Sequence, residues 1–445
     1  MTTAIILAGG ESSRLRPLGD KSLQRFLGKS LLRRHLETLA DAGVTSFVVV
    51  ANPTNEAILR DECAGQPVQF VIQPQARGMG DAVGRALTVI APESPVYITQ
   101  AHDVFDEDFH HSMLNQSQQR SGSILIAAKR METYFPGGYL LPVGDGEVSG
   151  EALFAIRGII EKPGAGNEPS RWVTLVAHLL PRAADLLAAI NSANNGDEGD
   201  LYERALTAIM GRQPSLAVPH NGPTASLKFP WHMLDVTELL LQRLTAPVIH
   251  PSVIIPEGAS VRGNVIIEEG VRLFAGAAVL GPAYIGHNTI LGNNALVRDS
   301  IVGSGCIIGY STEVARSWLG NDVWFHTNYV GDSIIDSNVS FGSGTVTGNL
   351  RLDEGIIKSA VKGDRLPTGR TKLGQIIGSG TRVGINASLM PGVVIGRDAF
   401  VGPGVILGVD VPDGQRVKVR QELEWGANVH RTNPADRDAF RGKLH

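Results

Sequence analysis

Cysteine is scarce: Cys63 and Cys306 are the only two in 445 residues, and they stand far apart. That pattern excludes a disulfide framework and fits a reducing compartment. Long hydrophobic runs are missing as well. The opening Met-Thr-Thr-Ala-Ile-Ile-Leu-Ala-Gly-Gly has no basic segment, and its apolar stretch is far too short for a secretory signal or a membrane span. No other run approaches membrane length, so the expectation is a soluble cytoplasmic protein without a membrane partner. Neither sign of charge is in excess. A net charge of −4 with 19% charged residues excludes a basic nucleic-acid footprint and leaves small molecules as the expected partners. Disorder is excluded by the 43% hydrophobic content. Glycine, by contrast, is abundant at 52 residues, which points to a fold rich in tight turns. The length predicts two domains.

The chain has two halves with different patterning. Up to about residue 245, short β-branched runs (Ala4–Leu7, Phe47–Ala51, Phe70–Ile72, Val96–Thr99, Ile124–Ala127) alternate with amphipathic stretches such as Leu31–Ala42 and Asp81–Ile90. Runs of this length read as buried strands, and strand–helix alternation predicts a mainly parallel, Rossmann-like α/β sheet covered on both faces. Ligands would then sit beyond the carboxyl ends of its strands.

Near Thr245-Ala246-Pro247 the helical period nearly vanishes. Aliphatic-Gly pairs recur instead, as in Ile285-Gly286, Leu291-Gly292 and Ile308-Gly309. Later the spacing becomes strict: Ile377, Val383, Leu389, Ile395, Val401 and Leu407 fall six residues apart. A six-residue repeat predicts a left-handed parallel β-helix, in which stacked coils bury an aliphatic column that no single repeat could bury. The predicted domains are 1–245, 246–412 and a polar tail over 413–445. Residues 350–375 break the repeat with a polar segment carrying Lys358, Lys362, Arg365, Arg370 and Lys372. Such a loop on a rigid solenoid is a place where function collects.

Leu7-Ala8-Gly9-Gly10-Glu11-Ser12-Ser13-Arg14-Leu15-Arg16-Pro17 follows the first strand. Glycines there let the backbone approach a phosphate. The string resembles the signature of nucleoside-triphosphate:sugar-1-phosphate nucleotidylyltransferases. Lys21, Gly28-Lys29-Ser30, Gln73-Pro74, Gly78-Met79-Gly80-Asp81-Ala82, Asp103, Gly137-Gly138-Tyr139 and Glu161-Lys162-Pro163 continue the resemblance in chain order. It implies a nucleotide site at Leu7, Ala8, Gly9, Gly10, Gln73 and Gly78. Catalytic cations would be Arg14 and Lys21, sugar contacts Gly138, Glu161 and Lys162, and Asp103 the ligand of Mg²⁺. In such a reaction a sugar phosphate oxygen attacks the α-phosphorus of UTP or dTTP, and the protein mainly positions anions and neutralises charge.

The sequence departs from that pattern in places. Ser226 stands where the family has a second metal aspartate, and Asp235 is a candidate substitute at the wrong spacing. His102 replaces a glycine before Asp103, Val173-Thr174-Leu175 replaces a sugar motif, and Ala76 replaces a glutamine of uridylyl-specific relatives.

In the second half, His326-Thr327-Asn328-Tyr329-Val330-Gly331-Asp332 and Gly342-Ser343-Gly344-Thr345-Val346-Thr347-Gly348-Asn349 resemble the acetyl-transfer segment of bifunctional UDP-N-acetylglucosamine pyrophosphorylase/glucosamine-1-phosphate N-acetyltransferases. With Asn349-Leu350-Arg351 and Thr368-Gly369-Arg370-Thr371-Lys372-Leu373-Gly374, the likeness is to an archaeal-type branch. The resemblance implies acetyl-CoA as co-substrate, His326 as catalytic base, and Arg298, Tyr329, Asn349 and Lys358 around the substrate. It also implies a homotrimer with acyl sites between coils. A histidine near its ordinary pKa can take the amine proton, an effect of ~10²–10⁴-fold in rate. Here Ala315 replaces a phosphate-binding lysine, and strand alternation would turn the adjacent Arg316 to the opposite face; Gly355 replaces a loop lysine. Three functions stay open: a bifunctional enzyme making a UDP- or dTDP-(N-acetyl)hexosamine, a nucleotidylyltransferase whose β-helix serves trimerisation or regulation, and a non-catalytic sugar-nucleotide-sensing scaffold.

Overall fold

The computed structural model describes residues 2–144, 150, 152–196, 199–429 and 434–443. The first half is a nine-stranded sheet. Its strands in chain order are β1 (Thr3–Leu7), β2 (Ser46–Ala51), β3 (Val68–Ile72), β4 (Val96–Gln100), β5 (Ile124–Arg130), β6 (Gly138–Pro142), β7 (Phe154–Glu161), β8 (Trp172–Leu180) and β9 (Ser215–Pro219). They lie in the order β3-β2-β1-β4-β8-β5-β9-β7-β6. Successive side chains of each central strand go to opposite faces. Ile5, Val48 and Ile98 join helices α2 (Gly78–Leu87), α3 (Ala183–Ala193) and α4 (Leu201–Met210) on one face. Ala4, Ile6, Val49 and Tyr97 join the opposite face, with Leu32, Leu36 and Leu39 of α1 (Leu31–Asp41). The Ser30 hydroxyl caps α1 by accepting from the Arg33 N–H at 3.1 Å.

The sheet is mixed rather than mainly parallel. β1, β2, β3 and β4 run parallel, but β8 lies antiparallel between β4 and β5, and β7 is antiparallel to both β6 and β9. Among the described residues, no helix occurs between Arg130 and Trp172. A parallel return needs a helix-sized crossover, so this stretch runs back antiparallel.

The second half is the expected three-sided parallel β-helix of the hexapeptide type. One side stacks eight strands from Val248–Ile249 to Val394–Ile395, and another stacks eight from Ser260–Arg262 to Ile406–Leu407. The remaining side runs from Arg272–Leu273 to Arg416–Val417, bridged at Trp324. Ile377, Val383, Leu389, Ile395, Val401 and Leu407 all enter one continuous buried column with Val279, Ile308 and Val330. The polar break contains a hairpin, Lys358–Val361 with Asp364–Pro367.

A further apolar cluster joins the halves. Leu18, Phe26 and Trp231 pack with Ile301, Trp318, Ile334 and Ile376, which project from the first side of the solenoid. Trp318 Nε1 donates to the Arg25 carbonyl at 2.9 Å. The hairpin contributes Val361 and Leu366, and Arg370 pairs with Asp235 at 2.9 Å.

Candidate active sites

The loop after β1 carries the phosphate-binding signature at the carboxyl edge of the sheet. A Cβ on Gly9 would meet the Ala51 carbonyl at 3.2 Å and Gln73 Oε1 at 3.4 Å, so glycine gives this approach its room. Gln73 is buried; its Nε2 donates to the Gly78 carbonyl and to Asp81 Oδ2, each at 3.0 Å. Gly9, Gln73 and Gly78 are therefore in contact beside the turn Leu7-Ala8-Gly9-Gly10. Behind it, Asn55 Nδ2 donates to the Ala8 carbonyl at 2.9 Å and to Asp20 Oδ2 at 2.8 Å.

Lys21 follows in a short 3₁₀ turn, and its backbone N–H donates to Ser12 Oγ at 3.1 Å. Burial, with Arg14 nearby, brings the Lys21 ammonium down to about 8, while Asp103 opposes that shift. Arg14 lies with its guanidinium 5.8 Å from the Phe229 ring centroid. Asp103 is in a short strand paired to Ala225–Ser226, with Ser226 directly opposite. Burial raises the Asp103 carboxyl above its ordinary value, against a hydrogen bond from Ser226 and the charges of Lys228 and Lys21. Its Oδ1 is buried with no hydrogen-bond partner. Glu161 pairs across the β6–β7 hairpin with Gly138 and holds Lys162 Nζ at 2.5 Å. A Cβ on Gly138 would meet Thr174 Cγ2 and Ile159 Cγ2, each at 2.9 Å, which keeps this floor flat beside the Glu161 carboxylate.

Lys228 is the residue that sequence reasoning missed. Burial lowers its pKa, and the charges of Asp103, Arg14, Glu161 and Lys162 all act on it. A signal was present: Lys228 is a cation only two residues past Ser226, the position already singled out as a departure from the metal-ligand pattern. Asp235, offered as a substitute ligand, is instead committed to Arg370 across the domain boundary.

On the solenoid, Tyr329 and Asn349 come together, with Asn349 Nδ2 donating to the Tyr329 hydroxyl at 3.2 Å. The same amide reaches Asp332 Oδ2 at 2.5 Å. Arg316 completes the group with a two-pronged pair to Asp332 at 2.8 and 2.7 Å. The expectation that Arg316 turns away is corrected here. Its φ is 49°, a left-handed corner residue just past the strand Glu313–Ala315, so strand alternation does not govern its direction. Asp332, quoted within the motif but given no role, is the buried centre of this network.

Arg298 is one coil away, its guanidinium on Glu313 at 2.8 and 2.9 Å. His326 is exposed at the corner leading to the Tyr329 strand, and among the described residues only its main chain is hydrogen-bonded. Tyr310 and Trp324, 60% and 53% exposed, stand beside that corner. Lys358 lines a separate cavity of about 600 Å³ with Leu350, Arg351, Arg365 and Met390. The structure thus gathers the nucleotide residues closely, but spreads His326, Arg298 and Lys358 around the Tyr329–Asn349 pair.

A family model for the MobA-like NTP transferase domain matches residues 4–213, and one for bacterial transferase hexapeptide repeats matches 376–408. A bifunctional sugar-1-phosphate nucleotidylyltransferase/acetyltransferase of Sulfurisphaera tokodaii is 28% identical over 402 residues, covering 88% of this chain and 93% of its own. Proteins named bifunctional protein GlmU are also similar. The one from Methanocaldococcus jannaschii is 28% identical over 88% of this chain and 91% of its own length. That from Methanococcus vannielii is 25% identical over the same shares. Among the described residues, no helix is long and apolar enough to cross a membrane. With both domain types matched in order and similarity along nearly its whole length, the chain is a homologue of the bifunctional sugar-1-phosphate nucleotidylyltransferase/acetyltransferases.

Proposed function

We propose that this chain couples two transfers. The solenoid acetylates an amino-sugar 1-phosphate with acetyl-CoA, and the α/β domain joins the product to the nucleotidyl group of UTP or dTTP. The observation that carries the first domain is the convergence of Lys21 and Lys228 on the buried carboxylate Asp103, with Arg14 close to both lysines. That is a site built for several phosphates. Preorganised charges of this kind stabilise a phosphoryl transition state without rearrangement.

The nucleotide triphosphate lies along Gly9–Gly10, with Arg14 and Lys21 on its leaving pyrophosphate. The sugar ring rests on Gly138, and Glu161 accepts its hydroxyls. The sugar phosphate oxygen attacks the α-phosphorus in line, and the bond to the β-phosphate breaks. The unpartnered Asp103 Oδ1 fits one divalent cation, because Mg²⁺ commonly takes one or two carboxylates and completes its shell with phosphates and water. When bound, Mg²⁺ would supply charge neutralisation on those phosphates.

On the solenoid, Tyr329 and Asn349 orient the amino sugar, and His326 takes the amine proton as the nitrogen attacks the thioester carbonyl; the carbon–sulfur bond then breaks and coenzyme A leaves as its thiol. His326, Tyr310 and Trp324 are all exposed, which supports a homotrimer whose neighbouring coil closes this site.

The test follows pyrophosphate released from UTP and dTTP with several sugar 1-phosphates, and thiol released from acetyl-CoA with glucosamine 1-phosphate. Both signals are expected. Thiol without pyrophosphate would leave the solenoid alone as an enzyme, pyrophosphate without thiol would leave the solenoid as a scaffold, and neither would overturn the reading.

A further inference from the structure

Ser226 has the place of a metal carboxylate, and what surrounds it is not a weakened copy of a two-carboxylate site. Ser226 lies directly opposite Asp103 in the short strand pair. Two residues on, Lys228 brings an ammonium to the same pocket. Its Nζ lies 3.9 Å from the centroid of the Phe135 ring, an arrangement that anchors a cation at one place. The main chain beneath it is also fixed. The Lys228 N–H donates to the Ser226 carbonyl at 2.9 Å and to His232 Nδ1 at 3.2 Å. Exchanging a carboxylate for serine and adding a lysine makes the pocket two charges more positive. That disfavours a bare divalent cation and favours phosphate. The position is also telling. Asp103, Lys21 and Arg14 mark the nucleotide side, Glu161 and Lys162 the sugar side, and Lys228 senses both. The two phosphates that react meet on that boundary.

We propose that Lys228 is a catalytic residue of the nucleotidyl transfer, its ammonium bridging the sugar phosphate and the α-phosphate in place of a second carboxylate–metal contact. This rests on the nucleotidyl-transfer reading above. The lysine exchanges no proton. The sugar phosphate oxygen forms its bond to the α-phosphorus, the bond to the bridging oxygen breaks, and that electron pair leaves on pyrophosphate. Lys228 stays charged throughout, and Asp103 is left as the sole protein carboxylate for the divalent cation.

The experiment compares wild type with Lys228→Ala, Lys228→Arg and the double variant Ser226→Asp/Lys228→Gly. UTP and dTTP binding is measured calorimetrically in EDTA, Mn²⁺ binding to nucleotide-free protein by loss of the free-ion EPR signal, and turnover by pyrophosphate release. Wild type should bind nucleotide without metal. Lys228→Ala should weaken that binding at least about tenfold and lower kcat/KM by ~10²–10³, the scale of losing one preorganised donor to a transition-state oxyanion. Lys228→Arg should recover most of both. The double variant should gain Mn²⁺ affinity in the absence of nucleotide. Metal-free nucleotide affinity and kcat/KM unchanged in a folded Lys228→Ala would overturn the proposal. If wild type released no pyrophosphate yet bound nucleotide through Lys228, the reaction reading would fall and the phosphate contact would stand.

Discussion

Arg397 of the solenoid and Pro17 of the nucleotide loop are 380 residues apart in sequence and joined at 2.6 Å, the guanidinium Nε donating to the proline carbonyl. A second prong reaches the Leu18 carbonyl at 2.8 Å. The solenoid therefore braces the turn between Arg14 and Lys21, the two cations assigned to the leaving pyrophosphate.

Arg397→Met should disturb that turn without touching substrate. Charged hydrogen bonds are worth about 1.5–3 kcal/mol each, so the expected result is a roughly tenfold rise in KM for UTP or dTTP. Thiol release from acetyl-CoA should stay at the wild-type rate. Parallel steady-state assays of the two activities measure the contrast.

His326→Ala should remove thiol release and leave pyrophosphate release intact, with a fall of ~10²–10⁴-fold if the imidazole is the proton acceptor. Asp103→Asn should do the reverse. A pair of single variants assayed for both products separates the two centres.

Arg316→Ala leaves the buried Asp332 without its cation and loosens the carboxylate that helps to orient the Asn349 amide. The guanidinium side chain is 33% exposed and the carboxylate 8%, so the stability cost should be about 1–2 kcal/mol, below that of a fully buried pair. Arg316→Lys keeps the charge but not the two-pronged geometry. It should recover stability in part while the KM for glucosamine 1-phosphate stays raised. Thermal melts and thiol-release kinetics check the two effects.

The α/β domain should unfold before the solenoid as pH falls. His35 on α1 donates to or accepts from Thr99 at 2.8 Å, and burial lowers it from 6.5 to about 4. His178 on β8 lies between Thr174 and Tyr202, and burial lowers it to about 3. Below pH 6.5 the unfolded chain takes these protons and the folded one does not. Stability is therefore present above 6.5 and is lost progressively on acidification toward the folded values. Glu203, pushed up by burial to about 7, works in the opposite sense over that range, as do the raised Asp20, Asp103 and Asp235, while burial lowers His102, His110 and His232 in the same sense as His35 and His178. Far-UV circular dichroism should show helix lost first, with the helix-poor solenoid retained; a single cooperative acid transition would count against this.

How far the residues spoke for themselves depends on the period of each element. Ile377 through Leu407 repeat every six positions, and all six lie in the solenoid core. A strict period leaves one way to stack. Gly9, Gln73 and Gly78 could be read because glycine and a buried amide at those spacings serve a local backbone demand. The antiparallel insertion of β8 between β4 and β5 was not legible, since strand pairing is a non-local choice that a buried apolar run does not encode.

The same division runs through the active sites. Residue order alone determined two domains, their fold types and most of the charged set near the first glycine turn, because hydrophobic periods and glycine turns are local physics. Only the tertiary structure decided that Lys228 faces Asp103, that a left-handed corner swings Arg316 onto Asp332, and that Asp235 is committed to Arg370. Each of those depends on where separate segments meet, and electrostatic partners are set by proximity in space rather than by spacing along the chain.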